Sequence, residues 1–327
     1  MFPAIGGEHC LLTVVNLRYM AVVLITGGTG LVGKALSKVL LQKSYKVIIL
    51  SRNTPVSTTA HGLSYAGWDI KNQKLDKTAI SEVDYIIHLA GAGVAEKRWT
   101  KKRKQEIVNS RVQSSGLLVK ALSEAPNKVK AVVSASAIGW YGEDPVVPNP
   151  SPFTEVSPAD NGFLGSTCQL WENSIEPVME LGKRLVKLRI GIVLSKDGGA
   201  LNEFIKPMQW GIASILGNGK QFISWIHIDD LVRLFISALE HEGMTGVYNA
   251  VAPQPVSNKK LVMELARARK KPFVPVIVPA FILKALLGEM SVEVLKSATV
   301  SSKKLIDSGF QFKYPGIAAA ISSLMQK

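Results

Sequence analysis

Short apolar runs rich in branched residues alternate with longer segments of helical period through the first part of the chain. Ala21-Val-Val-Leu-Ile25 is apolar throughout, the pattern of a strand buried on both faces. Thr26-Gly27-Gly28-Thr29-Gly30-Leu31-Val32-Gly33 follows, and residues 34–43 set Leu36, Val39 and Leu40 on one helical face. Lys46-Val-Ile-Ile-Leu50 is a second buried strand. Strand, glycine turn, helix and strand thus fall within about 30 residues as a βαβ unit. Further strands are predicted at 84–88, 131–134 and 185–189, with helices near 101–124 and 166–181 between them. This alternation predicts an α/β fold: a Rossmann-type doubly wound parallel sheet with helices on both faces and a smaller C-terminal lobe.

The pattern loosens after residue 194. Loops containing Gly and Pro surround 201–210 and 217–222. Residues 227–239 read as an amphipathic helix with Asp229 or Asp230 as its N-cap. A strand is predicted at 247–250 and a helix at 257–269 capped by Ser257, and Pro272, Pro275, Pro279 and Pro315 punctuate the tail. The expected organisation is a Rossmann domain over 21–194 to which the chain returns at 225–252. A smaller substrate-side lobe is built from 195–224 and 253–327. Residues 1–20 read as an appendage or an upstream start, with no role assigned.

Composition narrows the classes. Hydrophobic residues make up 47% of the 327 and charged residues 20%, which excludes a disordered chain. Two cysteines, Cys10 and Cys168, cannot build a disulfide scaffold or a four-cysteine zinc site, so no metal is expected and a reducing, cytoplasmic setting fits. Residues 272–288 are the nearest approach to a membrane span, and Pro275, Pro279 and Lys284 break them. The N-terminal patch at 11–15 follows Glu8 and lacks a basic flank, so it does not read as a signal peptide. A formal net charge of +14 attracts anions. Part of it sits in Lys97-Arg98-Trp-Thr-Lys101-Lys102-Arg103-Lys104, either a solvated helix start or an electropositive rim for a cofactor and an anionic substrate. Only Trp99 interleaves these cations, so nucleic acid is not the expected partner.

Gly28, Gly30 and Gly33 fit G-x-G-x-x-G, and Gly27, Gly30 and Gly33 fit G-x-x-G-x-x-G. Between a strand and a helix, either spacing predicts a dinucleotide site whose backbone amides meet a pyrophosphate at the helix start. A NAD site usually carries an acid about 20 residues further on, at the ribose 2′-hydroxyl. Leu50-Ser51-Arg52-Asn53 stands there instead, with a hydroxyl and a guanidinium suited to a 2′-phosphate, so NADP(H) is the expected cofactor.

Together with His88-Leu-Ala-Gly-Ala92, Ser134-Ala-Ser-Ala-Ile-Gly-Trp-Tyr-Gly142 and Trp225-Ile-His-Ile-Asp-Asp230, the glycine turn resembles an extended short-chain dehydrogenase/reductase. More narrowly, the chain resembles the atypical epimerase-family branch, nucleotide-sugar-epimerase-like and also labelled cell-division-inhibitor-like. The resemblance runs from about residue 21 to the end, and 275–327 is similar to that branch's C-terminal domain. It implies that Gly27, Thr29, Gly30, Leu31, Val32 and Gly33 hold the pyrophosphate, and Ser51 and Arg52 the 2′-phosphate. Asp69 is implied at adenine, and Leu89, Ala90 and Gly91 along the nicotinamide-side ribose. Glu106 and Arg111 belong to the helix beside the cofactor.

Short-chain dehydrogenases commonly use Tyr-x-x-x-Lys with a Ser or Thr: Tyr as acid/base, Lys to lower its pKa and hold the ribose, Ser to orient the substrate carbonyl. Aligned through Glu172, this chain carries Leu164 at the Tyr position and Cys168 at the Lys position. Ser136 and Tyr141 remain as catalytic candidates. Tyr141 is alternatively packed in a turn, His227 alternatively a strand-end or capping residue, and Cys168 alternatively a small core residue. The expected function is an NADP(H)-binding epimerase- or oxidoreductase-like protein acting on a small, anionic metabolite. A non-catalytic NADP-dependent sensor or interaction protein is the alternative.

Overall fold

β1 (Val22–Thr26) is buried at every position. Val23 and Ile25 enter the apolar layer on one face of the sheet, Val22 and Leu24 the layer on the other, which explains the absence of polar alternation in the run. The structure is a computed structural model that describes residues 21–53 and 61–326. The chain continues with α1 (Leu31–Gln42), β2 (Lys46–Ser51), β3 (Leu63–Asp69), β4 (Lys74–Leu75), α2 (Lys77–Ser81), β5 (Tyr85–His88), α3 (Lys101–Glu124), β6 (Ala131–Ala137), α4 (Phe163–Ile175) and β7 (Arg184–Ile190). Then come β8 (Ile192–Leu194), α5 (Ala200–Met208), β9 (Ile212–Leu216), β10 (Phe222–Ile223), β11 (Trp225–His227), α6 (Ile228–Glu240) and β12 (Gly246–Ala250). The chain closes with β13 (Val256–Ser257), α7 (Asn258–Ala268), β14 (Val274–Val278), α8 (Ala280–Leu287), α9 (Ser291–Leu295), α10 (Lys303–Asp307) and α11 (Ile317–Met325).

The main sheet has the order β12-β7-β6-β5-β1-β2-β3-β4, parallel except for β4. The fold is the doubly wound Rossmann type. The chain moves outward through β2 and β3 on one side of β1, then crosses to β5 and moves outward through β6, β7 and β12 on the other. The reversal opens a crevice above the carboxyl ends of β1 and β5, the place where such sheets take ligands. In register, Thr26 of β1 stands between Leu50 of β2 and His88 of β5.

Three details depart from the sequence reading. The helix expected to reach residue 181 ends at Ile175 and gives way to a short turn of 3-10 helix, Glu176–Val178, because Pro177 has no N–H to continue the ladder. Residues 246–250 do rejoin the main sheet, but 225–227 pair with β8 in a separate ladder. Neither Asp229 nor Asp230 caps α6: the cap is the His227 imidazole, in line with its reading as a capping residue, and it accepts from the amide of Asp229 at 3.0 Å. Asp229 therefore sits in the first helical turn, and buried Asp230 instead accepts from the amides of Lys313 and Tyr314 at 2.8 Å each. The appendage at 1–20 lies outside the described residues.

The C-terminal lobe is tied to the Rossmann body across the crevice. Arg98 donates to the carbonyl of Ala285 at 3.0 Å, and Lys104 pairs with Glu289. Asp144, in the loop after β6, is buried and accepts from Asn149, from the Ser297 hydroxyl, and from the amide and hydroxyl of Thr299. Among the described residues no helix is long and apolar enough to cross a membrane.

Candidate functional site

Gly27 has φ +67°, a left-handed conformation that favours glycine. At Gly33 the constraint is proximity: a Cβ there would lie 2.5 Å from the Cα of Gly28 and 2.6 Å from the carbonyl oxygen of Gly27. The turn closes through a hydrogen bond of 3.0 Å from the amide of Gly30 to the carbonyl of Gly27. Thr29 and Gly30 are exposed at its crown. α1 starts directly behind it, with no side-chain cap at Gly30 and no acid in its first turn. Its leading amides and the positive end of its dipole are thus left for an external anion. Leu31 and Val32 are half-buried, and Leu31 packs toward Gly199 at the start of α5.

Beneath the turn, Thr26 joins β1 to β5. Its Oγ1 accepts from the amides of Leu89 and Ala90 at 3.0 and 3.1 Å. Its own proton is then left for Nδ1 of His88, 2.8 Å away. The imidazole carries its proton on Nε2 and meets the Ser115 hydroxyl at 3.0 Å, which donates to the carbonyl of Arg111 at 3.0 Å. His88 is fully enclosed, and burial pushes its pKa down to about 3, so it stays neutral.

The remaining expected cofactor residues lie around this frame. Ser51 ends β2, where its hydroxyl donates to the carbonyl of Asn53 at 2.7 Å, and Arg52 is exposed beside it. Asp69 ends β3 and accepts from the amide and side chain of Asn72, bonds that hold its carboxyl below the usual range while closing the β3–β4 turn. Leu89, Ala90 and Gly91 follow β5 along the crevice. Glu106 is exposed on α3 and forms an ion pair of 2.8 Å with Arg103, which holds its carboxyl low. Arg111, one turn further along α3, lies against Gly91: a Cβ on Gly91 would be 3.1 Å from its Cζ.

α4 brings Leu164 and Cys168 to the carboxyl end of β6. A Cβ on Gly139 would lie 3.2 Å from Leu164 and 3.7 Å from the Cys168 sulfur, and that thiol faces the carbonyl of Ala137 at 3.6 Å. Burial first, and the charge of Glu172 second, push the thiol up to about 12. It is a protonated core group at neutral pH, not a nucleophile.

The two catalytic candidates are engaged elsewhere. Ser136 is buried and donates to Oε1 of Glu172 at 2.7 Å, so it has no hydroxyl proton left to orient a substrate carbonyl. Tyr141 is fully buried, stacks on Phe153, and donates to Asn249 at 2.6 Å while accepting from Arg189 at 3.1 Å. Burial raises its pKa. Both hydroxyls serve one buried ionic cluster, in which Arg189 grips Glu172 through Nε at 2.8 Å and Nη2 at 3.0 Å and lies 3.6 Å from the Trp140 ring centroid.

The sequence reading missed Thr26, His88, Glu172 and Arg189 as organisers. One signal was available: a strand reading Leu-Val-Lys-Leu-Arg in a sheet buried on both faces requires carboxylate partners for its cations. Arg189 finds Glu172, and Lys187 finds Glu176.

The profile of the NAD dependent epimerase/dehydratase family matches residues 23–250, and a domain of unknown function, DUF1731, matches 278–324. The chain belongs to the NAD dependent epimerase/dehydratase family. Within it, the epimerase family protein YfhF of Bacillus subtilis is 35% identical over 303 residues, covering 92% of this chain and 97% of that one. The human epimerase family protein SDR39U1, solved with NADPH, superposes with a TM-score of 0.80 at 28% identity, covering 93% of this chain and 99% of that one. A nucleoside-diphosphate sugar epimerase from Corynebacterium glutamicum superposes at 0.74 with 29% identity, covering 94% of this chain and 58% of that one. The chain is thus an atypical short-chain dehydrogenase/reductase.

Proposed function

We propose that this family member binds NADP(H) at the glycine turn and works as an epimerase- or oxidoreductase-like protein on a small anionic metabolite in the cytoplasm. One observation carries the reading. The start of α1 is uncapped behind a turn where a Cβ at Gly33 has no room, at the point where the strand order reverses. That is a cradle for a pyrophosphate. Gly27, Thr29, Gly30, Leu31, Val32 and Gly33 would hold it, Ser51 and Arg52 the 2′-phosphate, and Asp69 the adenine end. Leu89, Ala90 and Gly91 would line the nicotinamide ribose, with Glu106 and Arg111 on the flanking helix. The cofactor would supply hydride transfer, and the residues named supply binding and orientation. NADPH in the related human structure supports the same reading.

A second reading, an NADP(H)-dependent sensor without catalysis, is favoured by Leu164 and Cys168, which cannot exchange a proton with substrate at neutral pH. Calorimetric titration of NADPH and NADH, with Gly33→Val as control, tests the binding. Tight NADPH binding that Gly33→Val abolishes is expected, and equal binding by the variant sinks the reading. Loss of NADPH absorbance over a panel of carbonyl metabolites then separates enzyme from sensor.

A further inference from the structure

Each lysine or arginine buried among the described residues meets a carboxylate, and half-buried Arg111 does not. Arg103 meets Glu96 and Glu106, Lys187 meets Glu176, and Arg189 meets Glu172. Arg184 is held by three carbonyls at the end of α6, those of Ala238, Leu239 and Met244. Arg111 has no carboxylate within 4.0 Å among the described residues. Its Nη1 donates to the carbonyls of Ala92 and Ile107 at 3.0 and 2.9 Å. Nε and Nη2 have no hydrogen-bond partner among the described residues, yet neither is sealed from solvent. The guanidinium lies 4.9 Å from the Trp171 ring centroid, against Gly91, and the charged or titratable groups it faces are Cys168 and Arg103. Burial without a counter-ion pulls its pKa below the ordinary value.

A cation in that position is costly unless something anionic joins it. Its free edge carries two parallel N–H groups, which fit a planar carboxylate. The guanidinium sits at the carboxyl ends of β5 and β6, against Gly91 and facing Cys168, which leaves the site without the lysine usual in such enzymes. We propose that Arg111 is the receptor for a carboxylate of the substrate, placing the positive charge of the missing lysine on α3 instead of α4. The inference rests on the proposed function, since it places this carboxylate beside the nicotinamide end of the cleft.

The test uses the full chain, alone and saturated with NADPH, with oxalate, acetate and inorganic phosphate as probes. Oxalate and acetate should raise the melting temperature of the wild type saturably. Arg111→Met should weaken that response at least tenfold, and Arg111→Lys should retain part of it. Without ligand, Arg111→Met should melt at or above the wild type, because it removes an unpaired charge; a purely structural arginine would melt lower. A carboxylate response that survives in Arg111→Met overturns the proposal. So does a wild type that ignores carboxylates or one that answers phosphate alone. A wild type that fails to bind NADPH sinks the proposed function instead, while the carboxylate response of the chain alone still decides for or against Arg111.

Discussion

The sulfur of Cys168 lies 3.6 Å from the carbonyl oxygen of Ala137, closing α4 against the end of β6. The contact keeps the thiol in the interface between the helix and the sheet. A thiol with its pKa pushed up to about 12 is almost wholly protonated at pH 8. Iodoacetamide at pH 8 should therefore leave Cys168 unmodified in the native protein and alkylate it in urea, as read by peptide mass spectrometry. Rapid native labelling would place the thiol in an open, electropositive site.

Ser136 bonds a buried carboxylate, so Ser136→Ala should act on stability. Loss of one hydrogen bond to a charged group costs roughly 1–2 kcal/mol, since Glu172 keeps Arg189. The melting temperature should fall by several degrees while NADPH affinity is unchanged. A variant with wild-type stability and altered turnover would return Ser136 to the catalytic site.

His88 gives the fold a pH dependence of known sign. Its pKa is about 3 in the folded protein and about 6.5 in the unfolded chain, so the unfolded state binds more protons between these values. The contribution is fully present above about pH 6.5 and is lost as pH falls toward 3, at up to about 1.4 kcal/mol per pH unit. Urea titrations at pH 7.5 and 5.5 should differ by about that much more in the wild type than in His88→Gln. Equal differences would mean that His88 titrates normally.

Arg52 is exposed beside the end of β2, where a NAD site usually places an acid. NADP(H) should bind more tightly than NAD(H), and Arg52→Ala should narrow the gap roughly tenfold, through loss of a charge-assisted contact. Raising salt should shrink the same gap, because the contact is open to solvent. A variant that keeps the full preference would assign the 2′-phosphate to other groups.

The sequence by itself determined the parallel sheet and the glycine turn. Runs such as 21–25 and 47–50, short, rich in branched residues and bounded by turn signals, read as strands buried on both faces, and glycine spacing is a local steric requirement that needs no partner to be read. It also carried the absence of Tyr-x-x-x-Lys, since a missing residue type is missing in any fold. Tertiary structure alone decided what the polar core residues do. Ser136 and Glu172 are 36 residues apart, Tyr141 and Asn249 are 108 apart, and no local pattern sets which hydroxyl faces a cleft and which faces a buried carboxylate. The same holds for Arg111. Its residue type promised a cation on α3, but only the packing of α3, α4 and the end of β5 shows that no carboxylate among the described residues reaches it, because counter-ions are assigned by distance in space and not along the chain.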